Sequence, residues 1–184
     1  MREWHLRTPL REEDVVRLRA GDWVYLSGVV YGARDVAHQR MAEALLRGEA
    51  LPIPLEGQVL YYVGPAPAKT GWAVGPAGPT TSGRMDPFTV PLLERGLKAT
   101  VGKGTRSQEV KEALVRCRAV YLATVGGAAA LLARHIVRAH PVAYQELGTE
   151  AIWELEFREF PAVVVNDAHG GDLYAIASQP YARS

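Results

Sequence analysis

The fold is decided by the stretch Trp23-Val24-Tyr25-Leu26-Ser27-Gly28-Val29-Val30-Tyr31-Gly32-Ala33-Arg34-Asp35. Its first eight residues are mostly β-branched, aromatic or aliphatic, and they predict a largely buried strand. Residues 38–46 then follow a helical pattern, with Asp35 placed to cap the start of the helix. A strand that runs through a glycine-containing turn into a helix is the repeating unit of α/β proteins.

The same order continues on both sides of this stretch. Apolar or alternating runs predict further strands at 59–63, 72–74, 99–101, 119–123, 153–158 and 162–165. Periodicity predicts helices at 9–19, at 86–98 with Asp86 as the cap, and at 107–116 with Ser107 as the cap. It also predicts an Ala/Leu-rich helix that ends near His140. We therefore predict one α/β domain spanning residues 1–184, with an additional β-rich piece in its middle.

Composition narrows the class of function. The net charge of +1 gives no reason to expect nucleic acid, and charged residues interrupt every apolar run before it reaches the length of a membrane span. The N-terminus has no apolar signal core, so we expect a cytoplasmic protein without a membrane partner. The single cysteine, Cys117, cannot form an internal disulfide or a multi-thiolate metal site, and we expect a buried structural thiol.

Three glycine-flanked loops each place a cation where a strand or loop meets a helix. Helix N-termini at such junctions favour anions, and Arg offers a planar fork that fits a carboxylate. We therefore predict a small anionic ligand bound by Arg34, Arg84 and Lys103. A loop cation is by default a solvated surface charge, and from spacing alone the three need not converge.

Other chemistry fits the sequence poorly. The loop at 78–83 has the spacing of a phosphate-binding P-loop, but Arg84 and Met85 stand where Lys and Ser/Thr belong. Pro79 also removes a backbone N–H that would contact phosphate. Asp167 and His169 have no paired nucleophile and are interpreted as turn residues.

At these loops the sequence resembles the β-subunit family of class I fumarases. The stretch 32–40 is similar to the family's Ala-Arg-Asp-x-Ala-His-Lys-Arg signature, with Gln39 where Lys is usual. Nine consecutive residues, Gly78-Pro79-Thr80-Thr81-Ser82-Gly83-Arg84-Met85-Asp86, match the most specific block. Further blocks follow in the family's order at 61–65, 102–104, 125–129, 148–151 and 160–167.

The resemblance implies a swivelling β/β/α domain, with layered sheets and flanking helices, and hydration of fumarate to (S)-malate or its reverse. It implies that Arg34, Arg84 and Lys103 bind the carboxylates of a small dicarboxylate substrate. Thr80 would be the proton-transferring residue, although without the family a capping or loop hydroxyl is the simpler interpretation, and Thr81 is the open alternative. The [4Fe–4S] cluster would be carried by a partner α-subunit, so we expect an αβ hetero-oligomer.

Two other functions compete with this one. The same architecture could serve as the β-subunit of L(+)-tartrate dehydratase or of a related hydroxydiacid dehydratase, since the carboxylate-binding residues would be shared. A stand-alone, non-catalytic anion-binding module is the alternative from another class. It predicts carboxylate binding by the chain alone and no stable partner.

Overall fold

The computed structural model describes residues 1–124 and 127–178. Residues 125 and 126, part of the 125–129 block, lie outside this range. The seven strands are β1 (Glu3–Arg7), β2 (Trp23–Gly32), β3 (Val59–Tyr61), β4 (Ala99–Gly102), β5 (Val120–Ala123), β6 (Ile136–Ala143) and β7 (Ile152–Asn166). The α-helices are α1 (Glu12–Val15), α2 (Asp35–Leu46), α3 (Asp86–Leu93), α4 (Gln108–Arg116), α5 (Ala129–Ala133) and α6 (Leu173–Ser178). Short 3₁₀ helices occupy Ser82–Met85 and Gln145–Glu150.

The sheet closes into a small barrel. Its order is β1-β2-β3-β4-β5-β7-β6, and an additional antiparallel pairing of β2 with β7 joins the two sides. Strands β2 to β5 are parallel, so their carboxyl ends meet at one edge. The expected α/β class with flanking helices is confirmed, whereas the swivelling β/β/α domain that the resemblance implies stays a prediction.

Strand alternation divides the core into two layers. On β3, Val59 and Tyr61 point into the barrel cluster, whereas Leu60 and the following Tyr62 face the cluster under the helices. The rings of Tyr61, Phe157 and Phe160 pack together inside the barrel, with centroids 4.1 to 5.8 Å apart. Burial of such side chains stabilises the fold by about 1.5–3 kcal/mol each.

Several predicted elements are wrong in type or extent. The Ala/Leu-rich helix ends at Ala133, and the β-branched pair Ile136–Val137 starts β6 instead, because pairing with β7 outweighs local helix propensity. The strands expected at 153–158 and 162–165 are one strand, β7, which passes a bulge at Glu159 with φ 48°. No strand forms at 72–74, and the edge strand β1 was not predicted.

Helix α3 is also shorter than predicted: it ends at Leu93 rather than Lys98. The chain turns at Gly96, whose φ of 94° suits glycine and is incompatible with a continuing helix. The predicted cap of α4 is confirmed, since the Ser107 hydroxyl accepts a hydrogen bond from the backbone N–H of Val110. In the part of the chain that is described, no helix is both long and apolar enough to cross a bilayer.

Candidate functional site

The three predicted cations all follow strands that end at the same edge of the barrel. Arg34 lies two residues after the end of β2, and Lys103 directly follows β4. Arg84 lies in the 3₁₀ helix at Ser82–Met85, which follows the long loop after β3. Because the carboxyl ends of adjacent parallel strands meet, the topology places the three loops side by side, as is usual for ligand sites in α/β sheets.

One carboxylate joins the two arginines. Asp35 Oδ2 accepts a hydrogen bond from Arg34 Nε at 3.4 Å, and Asp35 Oδ1 lies 2.9 Å from Arg84 Nη2. The prediction that Asp35 caps α2 is therefore wrong: Arg34 holds the N-cap position, and no side chain caps the helix. Two guanidiniums offer the carboxylate stronger, charge-assisted partners than backbone N–H groups do.

The Arg34 guanidinium has two further neighbours. Glu150, the last residue of the second 3₁₀ helix, places its Oε1 3.2 Å from Arg34 Nε. On the opposite side, an added Cβ at Gly64 would lie 2.9 Å from Arg34 Cδ and 2.9 Å from Nη1. The Nη1 side of the guanidinium is thus backed by the main chain, while its Nε side faces two carboxylates.

Main-chain hydrogen bonds tie Lys103 to the two candidate threonines. Lys103 N donates to Thr80 O at 3.3 Å, Thr81 pairs with Lys103 as an isolated parallel bridge, and Thr80 N donates to Tyr62 O at 2.7 Å. This close approach requires Gly102, because a Cβ there would lie only 2.0 Å from the Ser82 hydroxyl oxygen. The Lys103 side chain is exposed and forms no ion pair among residues 1–124 and 127–178.

The two threonines differ in their surroundings. Thr80 is half-buried between β3 and β4, whereas Thr81 is exposed and holds the N-cap position of the 3₁₀ helix. The Thr81 side chain makes no capping hydrogen bond. The structure therefore places Thr80 deeper in the site than Thr81.

A fully buried arginine lies beneath these loops. The Arg106 side chain is 0% exposed, and its Nε donates to Asp86 Oδ1 at 2.6 Å. Its terminal nitrogens donate to the hydroxyls of Tyr62 and Thr100 at 3.0 Å and of Thr89 at 2.8 Å. Every face of this buried charge is thus paired, as such a site requires.

The Arg106 network also connects the loop of Arg84 with the loop of Lys103. Asp86 follows the Arg84 helix, and its second oxygen accepts a hydrogen bond from Ser107 N at 2.6 Å. Asp86 is the first residue of α3, whose N-cap is Met85, so its predicted capping role is wrong. Its carboxylate instead fixes the spacing between the two loops.

Sequence reasoning missed Arg106 and Glu150. Both carry charges for which surface exposure is the default, and neither shows a periodic pattern. The available signal was proximity: Arg106 lies three residues after Lys103, and Glu150 belongs to the block at 148–151.

His38 supports the Arg34 loop from inside α2. It is fully buried, its Nδ1 donates to Arg34 O at 2.9 Å, and its ring lies edge-on to Tyr62 with centroids 5.2 Å apart. Burial, with a smaller effect of the nearby Arg106 charge, lowers the pKa of His38 from 6.5 to about 4. The ring is therefore neutral in the folded protein at pH 7.

This lowered pKa predicts an acid-dependent loss of stability. Between about pH 6.5 and pH 4 the unfolded chain binds a proton on His38 that the folded chain does not. The free energy of unfolding therefore keeps its full value above this window and decreases as the pH falls through it. The loss amounts to about 3 kcal/mol. Urea unfolding from pH 7.5 to 4 should show a shallower dependence in His38→Asn than in wild type, whereas the exposed His140→Gln control should follow wild type. Parallel curves for His38→Asn and wild type would contradict the prediction.

The described residues contain no group of three or more His, Cys, Asp or Glu side chains that could hold a metal ion. Cys117 lies at the end of α4, and its carbonyl accepts a hydrogen bond from Lys98 Nζ at 3.0 Å. Lys98 directly precedes β4, so Cys117 lies at the end of this strand opposite to Lys103. It is half-buried rather than fully buried, and burial raises the pKa of its thiol, which favours the protonated form. An iron–sulfur cluster ligated by three thiolates does not fit this set of residues.

Fold and site together define an α/β barrel domain with cationic loops at the carboxyl edge of its parallel strands. Residues 1–177 match the sequence model described as the fumarase C-terminus. The chain therefore belongs to the fumarase C-terminus family.

Named relatives fall into two groups by length. The chain is 42% identical over 151 residues to the aerobic class I fumarate hydratase of Salmonella typhimurium, which covers 81% of this chain and 26% of that enzyme. It is 40% identical over 158 residues to fumarate hydratase 2 of Leishmania major, covering 84% and 28% respectively. A Methanocaldococcus jannaschii protein with the provisional name L(+)-tartrate dehydratase subunit beta is 40% identical over 171 residues, covering 90% of this chain and 88% of that protein. The chain thus spans just over a quarter of these fumarate hydratases but most of the tartrate dehydratase relative.

Proposed function

We propose that this chain is the β-subunit of an iron–sulfur-dependent fumarate hydratase, which catalyses the reversible hydration of fumarate to (S)-malate. The observation that carries the proposal is the pair of guanidiniums, Arg34 and Arg84, that share Asp35 at the carboxyl edge of the barrel. Lys103 lies at the end of β4 on the same edge. Guanidinium forks match carboxylates in shape and charge, and similarity to class I fumarate hydratases supports the choice of substrate.

The cations have a defined task in this chemistry. Removal of a proton beside a carboxylate shifts negative charge onto the oxygens of that carboxylate. Fixed positive groups stabilise this developing charge more than they stabilise the bound substrate, and so they lower the barrier. We assign this role to Arg34, Arg84 and Lys103.

Thr80 is the proposed proton-transferring residue. Backbone hydrogen bonds to Tyr62 and Lys103 hold the main chain of Thr80, and so they fix the position of its Cα. A threonine hydroxyl is a poor base without help, so we propose that an acidic group of the partner accepts its proton.

Substitution of the two threonines separates their roles. In the assembled enzyme, Thr80→Val should lower kcat by about a hundredfold or more with little change in KM, since the general acid–base contribution is lost while the shape is retained. Thr81→Val, one residue away and exposed, is the matched control and should stay within about threefold of wild type. The reverse pattern would assign the role to Thr81.

The cluster is the part of this proposal that the chain cannot supply. With Cys117 as its one cysteine, the chain lacks the thiolates for a [4Fe–4S] cluster, and we propose that a partner α-subunit carries it. The M. jannaschii relative, named as a subunit and similar in length, supports this division.

A reconstitution assay tests the proposal. The purified chain should show negligible turnover alone, and addition of the cluster-bearing α-subunit under anaerobic conditions should give turnover of fumarate and malate. Tartrate and methyl-substituted hydroxydiacids are assayed in parallel. Turnover of tartrate without malate would support the tartrate dehydratase alternative, for which the M. jannaschii relative is the favouring observation. Carboxylate binding by the chain with no stable partner would support the non-catalytic module.

A further inference from the structure

We infer that Glu150 competes with the ligand for Arg34 and is displaced when a ligand carboxylate binds. This inference rests on the proposed function only in taking Arg34 as a carboxylate-binding residue. It assigns to Glu150 a role in setting the affinity of the site, which is distinct from the roles of the cations.

The geometry of the Arg34 guanidinium carries the first step. An arginine pairs best with a carboxylate through two parallel N–H bonds along one side of its fork. The Nη1 side of Arg34 is backed by Gly64, where even one added carbon would come within 2.9 Å. The Nε side is contacted by Asp35 at 3.4 Å and by Glu150 at 3.2 Å. A ligand carboxylate that pairs along the Nε side must therefore replace one of these two acids.

The structure distinguishes the acid that stays from the acid that moves. Asp35 is the first residue of α2, between the buried residues Ala33 and Ala37, and its other oxygen contacts Arg84. Glu150 ends the 3₁₀ segment Gln145–Glu150, which has no buried residue. The following Ala151 is fully buried, so we place the displacement in the Glu150 side chain. Moving Asp35 would also break its contact with Arg84.

Backbone conformation around Glu150 supports the same assignment. Tyr144, just before the segment, is in the left-handed region, and Gly148 interrupts the helix at φ 61° and ψ −119°. The segment is therefore an irregular surface turn rather than a regular helix, and glycine adopts the conformation at position 148 at little steric cost. Asp35, in contrast, is held by a regular twelve-residue helix.

The test compares binding of succinate, a dicarboxylate that cannot be hydrated, to the full chain, both alone and assembled with the α-subunit, by calorimetry at pH 7 and low salt. Glu150→Gln should bind succinate about threefold to tenfold more tightly than wild type, because a neutral amide competes less well for a guanidinium. Asp35→Asn should bind it more weakly, since Asp35 orients both arginines. The matched control is Glu146→Gln in the same 3₁₀ segment, whose carboxylate pairs with Arg40, and its Kd should stay within about twofold of wild type.

Every other result for Glu150→Gln overturns the inference. An unchanged Kd, or no measurable gain over wild type, would mean that Glu150 does not compete, and weaker binding would make it a positioning residue for Arg34. The outcome is independent of catalysis because succinate does not react. Absence of hydro-lyase activity in the reconstituted wild-type pair would contradict the proposed function, but the ratio of the succinate Kd values of Glu150→Gln and wild type would still test the role of Glu150. Normal turnover with an unchanged ratio would remove only the role of Glu150.

Discussion

Replacement of Arg84 by alanine should lower kcat/KM of the proposed αβ hydro-lyase by about a hundredfold to a thousandfold. Arg84 Nη2 contacts the Asp35 carboxylate that also binds Arg34, so its loss removes one positive group from the proposed carboxylate site and leaves Asp35 paired with Arg34 alone. The Arg84 side chain is 53% exposed, so we expect the free energy of unfolding to change by less than about 0.5 kcal/mol. Turnover assays and urea unfolding of the same preparations measure the two effects.

Two further variants sharpen the Arg84 experiment. Arg84→Lys keeps the charge but loses the planar fork, and we expect at least about a tenfold decrease, because two parallel hydrogen bonds to a carboxylate can no longer form. Arg95→Ala removes an exposed arginine just beyond the C-terminal end of α3 and should match wild type. If Arg84→Ala retained a tenth or more of the wild-type kcat/KM, the assignment of Arg84 as a substrate-binding residue would fail.

Replacement of Asp86 by alanine should cost stability rather than only activity. The substitution leaves the Arg106 guanidinium, whose side chain is 0% exposed, without its anionic partner. Breaking a buried ion pair in this way destabilises proteins by about 3–5 kcal/mol, since an uncompensated charge stays in the interior. The change should appear as a lower urea midpoint at pH 7 with an unchanged slope.

Two comparisons establish the cause of that loss. Asp86→Ala combined with Arg106→Met removes the stranded charge and should recover part of the lost stability, because a buried pair can often be replaced by apolar side chains at little cost. Glu94→Ala breaks an exposed pair, with Arg116, at side-chain exposures of 53% and 57%, and should cost less than about 1 kcal/mol. An Asp86→Ala variant no less stable than Glu94→Ala would refute the role of the buried pair.

Local patterns in the sequence predicted the parts of the fold that depend on local chemistry. The strand pattern of 23–30 and the capping serine at 107 each predicted the observed element, because burial and capping act over a few residues. Spacing in the sequence left open whether the loops of Arg34, Arg84 and Lys103 converge, and the structure brings them to one edge because parallel strands share their carboxyl ends. Their roles in binding substrate stay predictions until the variants are measured.

Features that depend on distant partners could not be predicted in the same way. The helix predicted to end near His140 gives way to a strand at Ile136, because β7 pairs with Ile136–Ala143. The carboxylates of Asp35 and Asp86 do not cap their helices as predicted, because they pair with Arg84 and Arg106 from other loops. Such pairings are set by tertiary contacts, which no periodicity within one segment reports.

The depth of Arg106 has a consequence for how this domain can diversify. Its hydrogen bonds connect the loops of Arg84 and Lys103 in the interior, whereas the Arg84 and Lys103 side chains are exposed. Substitutions at these exposed positions leave the buried hydrogen bonds of Arg106 in place, so the ligand preference of such a domain can change while its scaffold is retained. Selection for stability at the buried Arg106 network and selection for ligand preference at the exposed positions can therefore act separately.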